Sequence, residues 1–168
     1  MKPALDSNEH PSRIPDEITG LHGPLPSGRI VIVASRYNAE VCDSLAVAAM
    51  ETLLFAGIAK HDIEVVRVPG AWELPLAVAH ALDRRHVIGA VALGVVIRGD
   101  TTHDEHINRA VSMALMQLGL DSRKPVGFGL LTCNTPEQAT ARAGGEVGNK
   151  GIEAADAVLE MLRIPRAK

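Results

Sequence analysis

The sequence contains very few aromatic residues: one tryptophan, one tyrosine and two phenylalanines among 168 residues. It also has only two cysteines, Cys42 and Cys133, which are too few for a disulfide framework and favour a reduced, cytoplasmic protein. No apolar run approaches the ~18 residues of a membrane span, and no segment resembles a signal peptide. A net charge of −3 without a basic stripe argues against nucleic acid as a partner. These shortages exclude the disulfide-rich, membrane-spanning and nucleic-acid-binding classes.

What remains is an ordinary globular composition, with 46% hydrophobic and 22% charged residues. This composition and length suit one compact domain. Residues 1–28 differ from the rest, because they hold half of the ten prolines and show no apolar periodicity. We therefore expect an extended or disordered tail at 1–28 and a single domain at 29–168.

Strand-like and helix-like patterns alternate along this domain. Short runs of β-branched and other apolar residues predict strands at 29–34, 63–68, 87–97 and 126–132. Apolar stripes at helical spacing predict helices at 38–57 and 72–82, a third ending at Gly119, a helix start at Pro136, and a closing helix at 149–163. Such alternation requires right-handed crossovers between parallel strands. We predict an α/β fold: a three-layer αβα sandwich with a four-stranded parallel sheet.

In the stretch VALGVVIRGDTTHDEH at 91–106, the apolar end of the third predicted strand is followed directly by glycine, charged residues, two threonines and two histidines. Ligands of open α/β sheets bind at the carboxyl edge, where loops and helix N-termini meet. Gly99, Asp100, Thr101 and Thr102 offer N–H groups and hydroxyls that suit a phosphate, although the Asp100 carboxylate has to point away from it. There is no Walker or dinucleotide glycine pattern, so a nucleotide is not indicated.

Three of the four aromatic residues lie in or just after predicted strands. Tyr37 and Trp72 follow strands, and Phe128 lies within the fourth. This placement suggests a flat apolar ligand that stacks on the rings, but aromatic residues at strand ends equally often cap the core. We assign Phe55, inside a predicted helix, to packing.

His103 has three interpretations. An imidazole at a helix start can exchange protons with a bound ligand near neutral pH. Alternatively it is a surface residue in a capping box, in which Thr101 pairs with Asp104 or Thr102 pairs with Glu105. A metal site made by His103, Asp104 and His106 is disfavoured, because no other histidine or cysteine is spaced to complete it, and we predict no metal.

Arg142 and Lys150 lie in the glycine-rich segment 142–151 before the last helix. They are candidate cations for a bound anion. Most arginines and lysines on such loops are instead solvated surface charges, and the sequence alone leaves both interpretations open.

Five segments together carry a specific resemblance. They are ASRYN around Tyr37, VPGAWELP at 68–75, LGVVIRGDTTH at 93–103, FGLLT at 128–132 and RAGGEVGNKG at 142–151. In this order they closely resemble the lumazine synthase family of riboflavin biosynthesis, and only the tail lies outside the resemblance. The resemblance implies a flavodoxin-like fold and a transferase that needs no cofactor.

The implied reaction condenses 5-amino-6-ribitylaminouracil with 3,4-dihydroxy-2-butanone 4-phosphate and gives 6,7-dimethyl-8-ribityllumazine, phosphate and water. The resemblance places the pyrimidine and its ribityl chain against Tyr37, Ala71, Trp72, Glu73, Val95, Val96 and Ile97. It assigns proton transfer to His103.

The resemblance also implies a phosphate site shared between copies. Asp100 and Thr101 would approach the phosphate, Arg142 would be its catalytic cation, and Lys150 is a further substrate-binding candidate. Family members build each site between adjacent subunits of a pentamer, so Phe128 and Arg142 would come from a neighbour. Riboflavin synthase is a candidate partner.

The segment 104–110, DEHINRA, departs from the family pattern, which usually has an aromatic residue after the histidine and an Asn-Glu pair later. One alternative function is therefore a paralogue that binds flavin or lumazine with little or no catalysis. Another is an unrelated α/β phosphate-binding regulator, which has no reason to carry all five segments.

Overall fold

The computed structural model describes residues 17–165, so the first sixteen residues of the expected tail lie outside the described residues. The sheet strands are β1 (Arg29–Ser35), β2 (Ile63–Val68), β3 (Val87–Ile97) and β4 (Val126–Cys133). The helices are α1 (Ala39–Phe55), α2 (Leu74–Leu82), α3 (His103–Ser122), α4 (Pro136–Ala141) and α5 (Lys150–Arg163). Short 3₁₀ turns occupy Lys60–Asp62 and Ala71–Glu73, and a small hairpin is made by β5 (Ala143–Gly145) and β6 (Gly148–Asn149).

The four main strands form one parallel sheet in the order β2-β1-β3-β4. Alternate residues of β1 point to opposite faces: Ile30 and Ile32 pack with α1 and α5, whereas Val31 and Val33 pack with α2 and α3. Each face of the sheet is thus covered by a helical layer, and β1 is buried on both sides. The predicted three-layer α/β fold with a four-stranded parallel sheet is confirmed.

Some element ends differ from the predictions. The third helix continues past Gly119 to Ser122, because Leu115 and Leu118 hold it against the sheet and Arg123 (φ 53°) supplies the left-handed residue that ends it. Asn38 precedes α1 as predicted, but its side chain caps no N–H and its backbone is left-handed (φ 54°). Phe55, which we assigned to packing, is 77% exposed at the end of α1. The hairpin β5–β6 was not predicted, because its strands are too short and glycine-rich to show alternation.

Residues 17–28 contain no helix or strand. Gly20 lies against the end of α5, where the Arg163 guanidinium donates to the Gly20 carbonyl over 3.3 Å. Leu25 packs on the core between the sheet and α1. None of the helices within residues 17–165 combines the length and the apolarity needed to cross a lipid bilayer.

Candidate active site

A cleft of about 350 Å³ opens at the carboxyl edge of the sheet. This volume is in the range of small-molecule sites. It is lined by Tyr37, Asn38, Ala71, Val95, Val96, Ile97, Gly99, Thr101, His103, Asp104 and Ile107. Seven of the thirteen predicted site residues therefore lie together, and they come from three parts of the chain: the connections after β1 and β2, and the end of β3 with its connection to α3.

The floor of the cleft is the end of β3. The last residue of β3 that pairs with β1 is Leu93, whereas pairing with β4 continues to Ile97. Among the described residues, no strand pairs with residues 95–97 on the β1 side. The peptide groups of this segment are thus placed to meet a ligand through the backbone, as the resemblance implies.

One wall is the Tyr37 ring, which is 71% exposed. The Tyr37 N–H donates to the Pro69 carbonyl over 3.1 Å, which joins the loop after β1 to the loop after β2, and the left-handed Asn38 then leads the chain into α1. Gly70 makes room for the ring, since a Cβ at this position would lie 3.0 Å from Tyr37 Cδ2. Tyr37 offers its ring to the cleft and does not cap the core, which favours the ligand-stacking interpretation.

The opposite wall is the first turn of α3. His103 begins this helix and is exposed at the cleft, and Thr102 occupies the cap position. The Thr102 side chain accepts no hydrogen bond from the helix, so the structure gives no support to a capping box here. The imidazole is therefore available to a ligand bound in the cleft.

Three residues of the cleft were missed as substrate-binding residues, Asn38, Asp104 and Ile107, whereas Gly99 was expected as part of an anion-binding turn. Gly99 and Asp104 lie in the polar stretch that the sequence singled out, and Asn38 directly follows Tyr37, so position after a strand was the available signal. Asp104 Oδ1 is buried and, within the described part of the chain, has no hydrogen-bond partner. Ile107 carries no signal beyond its place on the apolar stripe of α3.

Six predicted site residues do not line the cleft: Trp72, Glu73, Asp100, Phe128, Arg142 and Lys150. The Glu73 carboxylate accepts the Gly70 N–H over 2.9 Å and so stabilises the turn beside Tyr37. Trp72 is 61% exposed and Phe128, on the edge strand β4, is 50% exposed. Asp100 is exposed in the loop before α3.

Arg142 and Lys150 lie at the base of the β5–β6 hairpin. The Lys150 N–H donates to the Arg142 carbonyl over 2.9 Å, and the Arg142 guanidinium donates to the Gln138 carbonyl over 3.1 Å. The Lys150 ammonium pairs with Glu153. Burial raises the pKa of the Cys133 thiol, and the Arg142 charge partly offsets this, which places the guanidinium near the end of β4. The backbones of Arg142 and Lys150 are thus paired, and neither side chain lines the cleft of its own chain.

Within residues 17–165, no group of three or more histidine, cysteine or acidic side chains is placed to hold a metal ion. Cys42 and Cys133 are buried free thiols. In the Cys42 thiol burial raises the pKa, while the neighbouring Ser35 hydroxyl lowers it to a smaller extent. The polar side chains at the cleft are the Tyr37 phenol, the Asn38 amide, the Thr101 hydroxyl, the His103 imidazole and the Asp104 carboxylate.

Comparison with known proteins shows the family of this chain. A family model described as 6,7-dimethyl-8-ribityllumazine synthase matches residues 27–166. A protein of that name from Rhodopirellula baltica is 62% identical over 147 residues, covering 88% of this chain and 95% of the relative. Relatives of the same name from Gemmatimonas aurantiaca and Aquifex aeolicus are 51% and 43% identical, covering 80% and 81% of this chain and 82% and 88% of their own lengths. The chain belongs to the 6,7-dimethyl-8-ribityllumazine synthase family.

Proposed function

We propose that this chain is a transferase that condenses 5-amino-6-ribitylaminouracil with 3,4-dihydroxy-2-butanone 4-phosphate, forming 6,7-dimethyl-8-ribityllumazine, phosphate and water. The observation that carries the proposal is the cleft, in which Tyr37, the backbone of 95–97 and His103 surround one space. The family relation supports the same reaction through the names of its members.

The pyrimidine substrate fits the apolar part of the cleft. A flat heterocycle stacks favourably on the exposed face of Tyr37. Its N–H and C=O groups then meet the peptide groups of residues 95–97, which no neighbouring strand covers on that side within the described chain. We assign the ribityl chain to the side of Ala71, with Trp72 and Glu73 next along the same turn.

His103 carries the proton transfers. The aromatic amine adds to the ketone and loses one water to form an imine, phosphate leaves by elimination, and ring closure through the ribitylamino nitrogen releases a second water. Each step moves a proton, and one exposed imidazole at the cleft can accept and return it. Holding both reactants in one site contributes much of the acceleration, so the reaction does not depend on the histidine alone.

The phosphate site is completed by a second copy of the chain. Asp100 and Thr101 lie in the loop before α3, and Arg142 and Lys150 are absent from the cleft of their own chain. We infer that the β5–β6 hairpin and Phe128 of an adjacent subunit close the site, with Arg142 stabilising the departing phosphate.

Exposed apolar surface supports assembly. Met113, Met116 and Leu120 form a stripe along α3, and Trp72 and Leu76 form a second exposed apolar pair. Such surface is typical of subunit interfaces. We propose a pentamer, or an assembly of pentamers, built from the single domain at 29–168.

The free buried thiols of this chain favour a cytoplasmic setting. We propose riboflavin synthase as its protein partner.

The test is to mix the purified protein with both substrates and follow the absorbance and fluorescence of the lumazine against the uncatalysed background. We expect saturable acceleration with respect to each substrate. A folded, assembled protein that gives no rate above background, or that carries a tightly bound yellow ligand, would contradict the proposal in favour of a binding paralogue.

A further inference from the structure

The hairpin that carries the two cations is too small to hold its own shape. β5 has three residues and β6 has two. Gly144 (φ +110°) and Gly148 (φ +91°) have positive φ angles, which favour glycine. Because glycine has no side chain, these two residues restrict the backbone of the hairpin little. An isolated two-stranded hairpin is at best marginally stable in water, so the positions of Arg142 and Lys150 depend on what the hairpin packs against.

Ser44, on the second turn of α1, contacts both strands of the hairpin. Its hydroxyl donates to the Ala143 carbonyl, and its own carbonyl accepts the Asn149 side-chain N–H over 3.4 Å. Ala143 and Asn149 are themselves paired across the hairpin. Asn149 Oδ1 also accepts the Gly151 N–H over 2.8 Å and so begins α5. One serine thus joins the helix to the paired residues that adjoin Arg142 and Lys150.

The hydrogen bond of this hydroxyl is unusual for a serine within a helix. Helical serine and threonine hydroxyls commonly bond the carbonyl three or four residues earlier, as Thr52 on the same helix does with Ala48 over 2.9 Å. The Ser44 hydroxyl instead bonds a residue 99 positions further along the chain. The backbone is close here as well, since a Cβ on Gly151 would lie 2.1 Å from the Leu45 carbonyl oxygen. This contact is therefore specific to the packing of the hairpin on α1.

We propose that Ser44 is a positioning residue for phosphate binding: by fixing the hairpin to α1 it orients Arg142 and Lys150 before the substrate arrives. This inference rests on the proposed function, in which those cations bind the phosphorylated substrate. Preorganisation of charged groups lowers the cost of ordering them on binding, so loss of the hydroxyl weakens phosphate binding. It leaves the cleft around Tyr37 and His103 unchanged.

The experiment compares Ser44→Ala with Thr52→Ala, a control that also removes a hydroxyl bonded to a backbone carbonyl on α1. KM is measured for each substrate, and the Kd of inorganic phosphate is measured by calorimetry, which does not depend on turnover. We expect Ser44→Ala to raise the phosphate Kd and the KM of the phosphorylated substrate by about two- to tenfold, the effect of one neutral hydrogen bond. The KM of the pyrimidine should stay within about twofold in both variants, and Ser44→Thr should restore phosphate binding.

An active Ser44→Ala enzyme with unchanged phosphate Kd, or with both KM values raised in parallel, would overturn the inference while leaving the proposed function intact. An inactive wild-type protein would overturn the proposed function itself. If Ser44→Ala does not fold, Ser44→Cys replaces it, because a thiol occupies the place of the hydroxyl but is only a weak hydrogen-bond donor to the Ala143 carbonyl. The same selective loss of phosphate binding is expected, and wild-type phosphate binding in this variant refutes the inference.

Discussion

The two helical layers of this molecule carry different parts of the candidate site. The cleft includes the start of α3, which packs in the layer with α2, and it offers an exposed aromatic ring, backbone amides and His103. The hairpin packs on α1 in the other layer and offers a guanidinium and an ammonium group. A flat heterocycle and a phosphate require these two different environments. In the function that we propose, one chain supplies two half-sites and assembly joins them.

The largest expected effect is that of removing the imidazole from the cleft. His103→Ala should lower kcat about a hundredfold, the lower end for loss of a general acid–base group, because the reactants stay together in the site. The KM of both substrates should change little. Steady-state kinetics with His106→Ala as the control would test this, since His106 is exposed on the same helix but does not line the cleft. Complete loss of turnover in folded His103→Ala, or an equal loss in His106→Ala, would contradict the assignment.

Removing the guanidinium from the hairpin should affect the other substrate. Arg142→Ala should raise the KM of the phosphorylated substrate about ten- to a hundredfold, because a charge-assisted contact to phosphate is lost. The KM of the pyrimidine should not change. Arg85→Ala is the matched control, since this exposed arginine precedes β3 at the opposite end of the sheet. An unchanged KM for the phosphorylated substrate in Arg142→Ala would remove the hairpin from the phosphate site.

A smaller effect is expected from the aromatic wall. Tyr37→Ala should raise the KM of the pyrimidine about two- to tenfold, because ring stacking is lost, and Tyr37→Phe should behave like wild type. Measurement of both KM values in the two variants separates stacking from hydrogen bonding. A loss in Tyr37→Phe as large as in Tyr37→Ala would show that the hydroxyl, not the ring, binds the ligand.

The smallest effect concerns the amino end of the sheet, away from both half-sites. Hydrogen bonding and charge from Arg84, and then from Arg29, hold the pKa of Glu64 below its ordinary value of 4.5. A lowered folded pKa stabilises the protein above the unfolded pKa, and this stability is lost as the pH falls through the folded value. Glu64→Gln should therefore cost at most about 1 kcal/mol at pH 7 and nothing below the folded pKa, with kinetics unchanged. Thermal unfolding across pH would test this, and a difference that persists in acid would contradict it.

The sequence predicted the strands well because each is a short run rich in β-branched and apolar residues, and the observed bounds of Ile63–Val68 and Val87–Ile97 match the predicted ones. The central strand β3 is largely buried, whereas the edge strand β2 leaves Val65 exposed. Helix ends were less predictable. Gly119 signals a stop locally, but packing of Leu115 and Leu118 overrides it. The hairpin has no periodicity to detect, and its pairing depends on contacts with α1 that lie far away in the sequence.

Within the site, position after a strand was the useful signal. It located Tyr37, Ala71 and the segment 95–103 at one edge of the sheet, because carboxyl ends of parallel strands meet there. It did not show that the Glu73 carboxylate bonds the Gly70 N–H, or that the Arg142 guanidinium lies outside the cleft. Those facts depend on side-chain directions after the turns, which spacing alone does not specify.

The central claim is that each site combines the cleft of one chain with the hairpin of another. It is tested most directly by co-assembling His103→Ala and Arg142→Ala chains in equal amounts after joint unfolding and refolding. With the phosphorylated substrate well below its wild-type KM, a shared site predicts about a quarter of wild-type activity, since half of the clefts and half of the hairpins are intact and they combine at random. The control mixes wild type with the chain that carries both changes, and a shared site again gives about a quarter. No recovery in the first mixture, with about half of the activity in the second, would show that each chain builds its site alone.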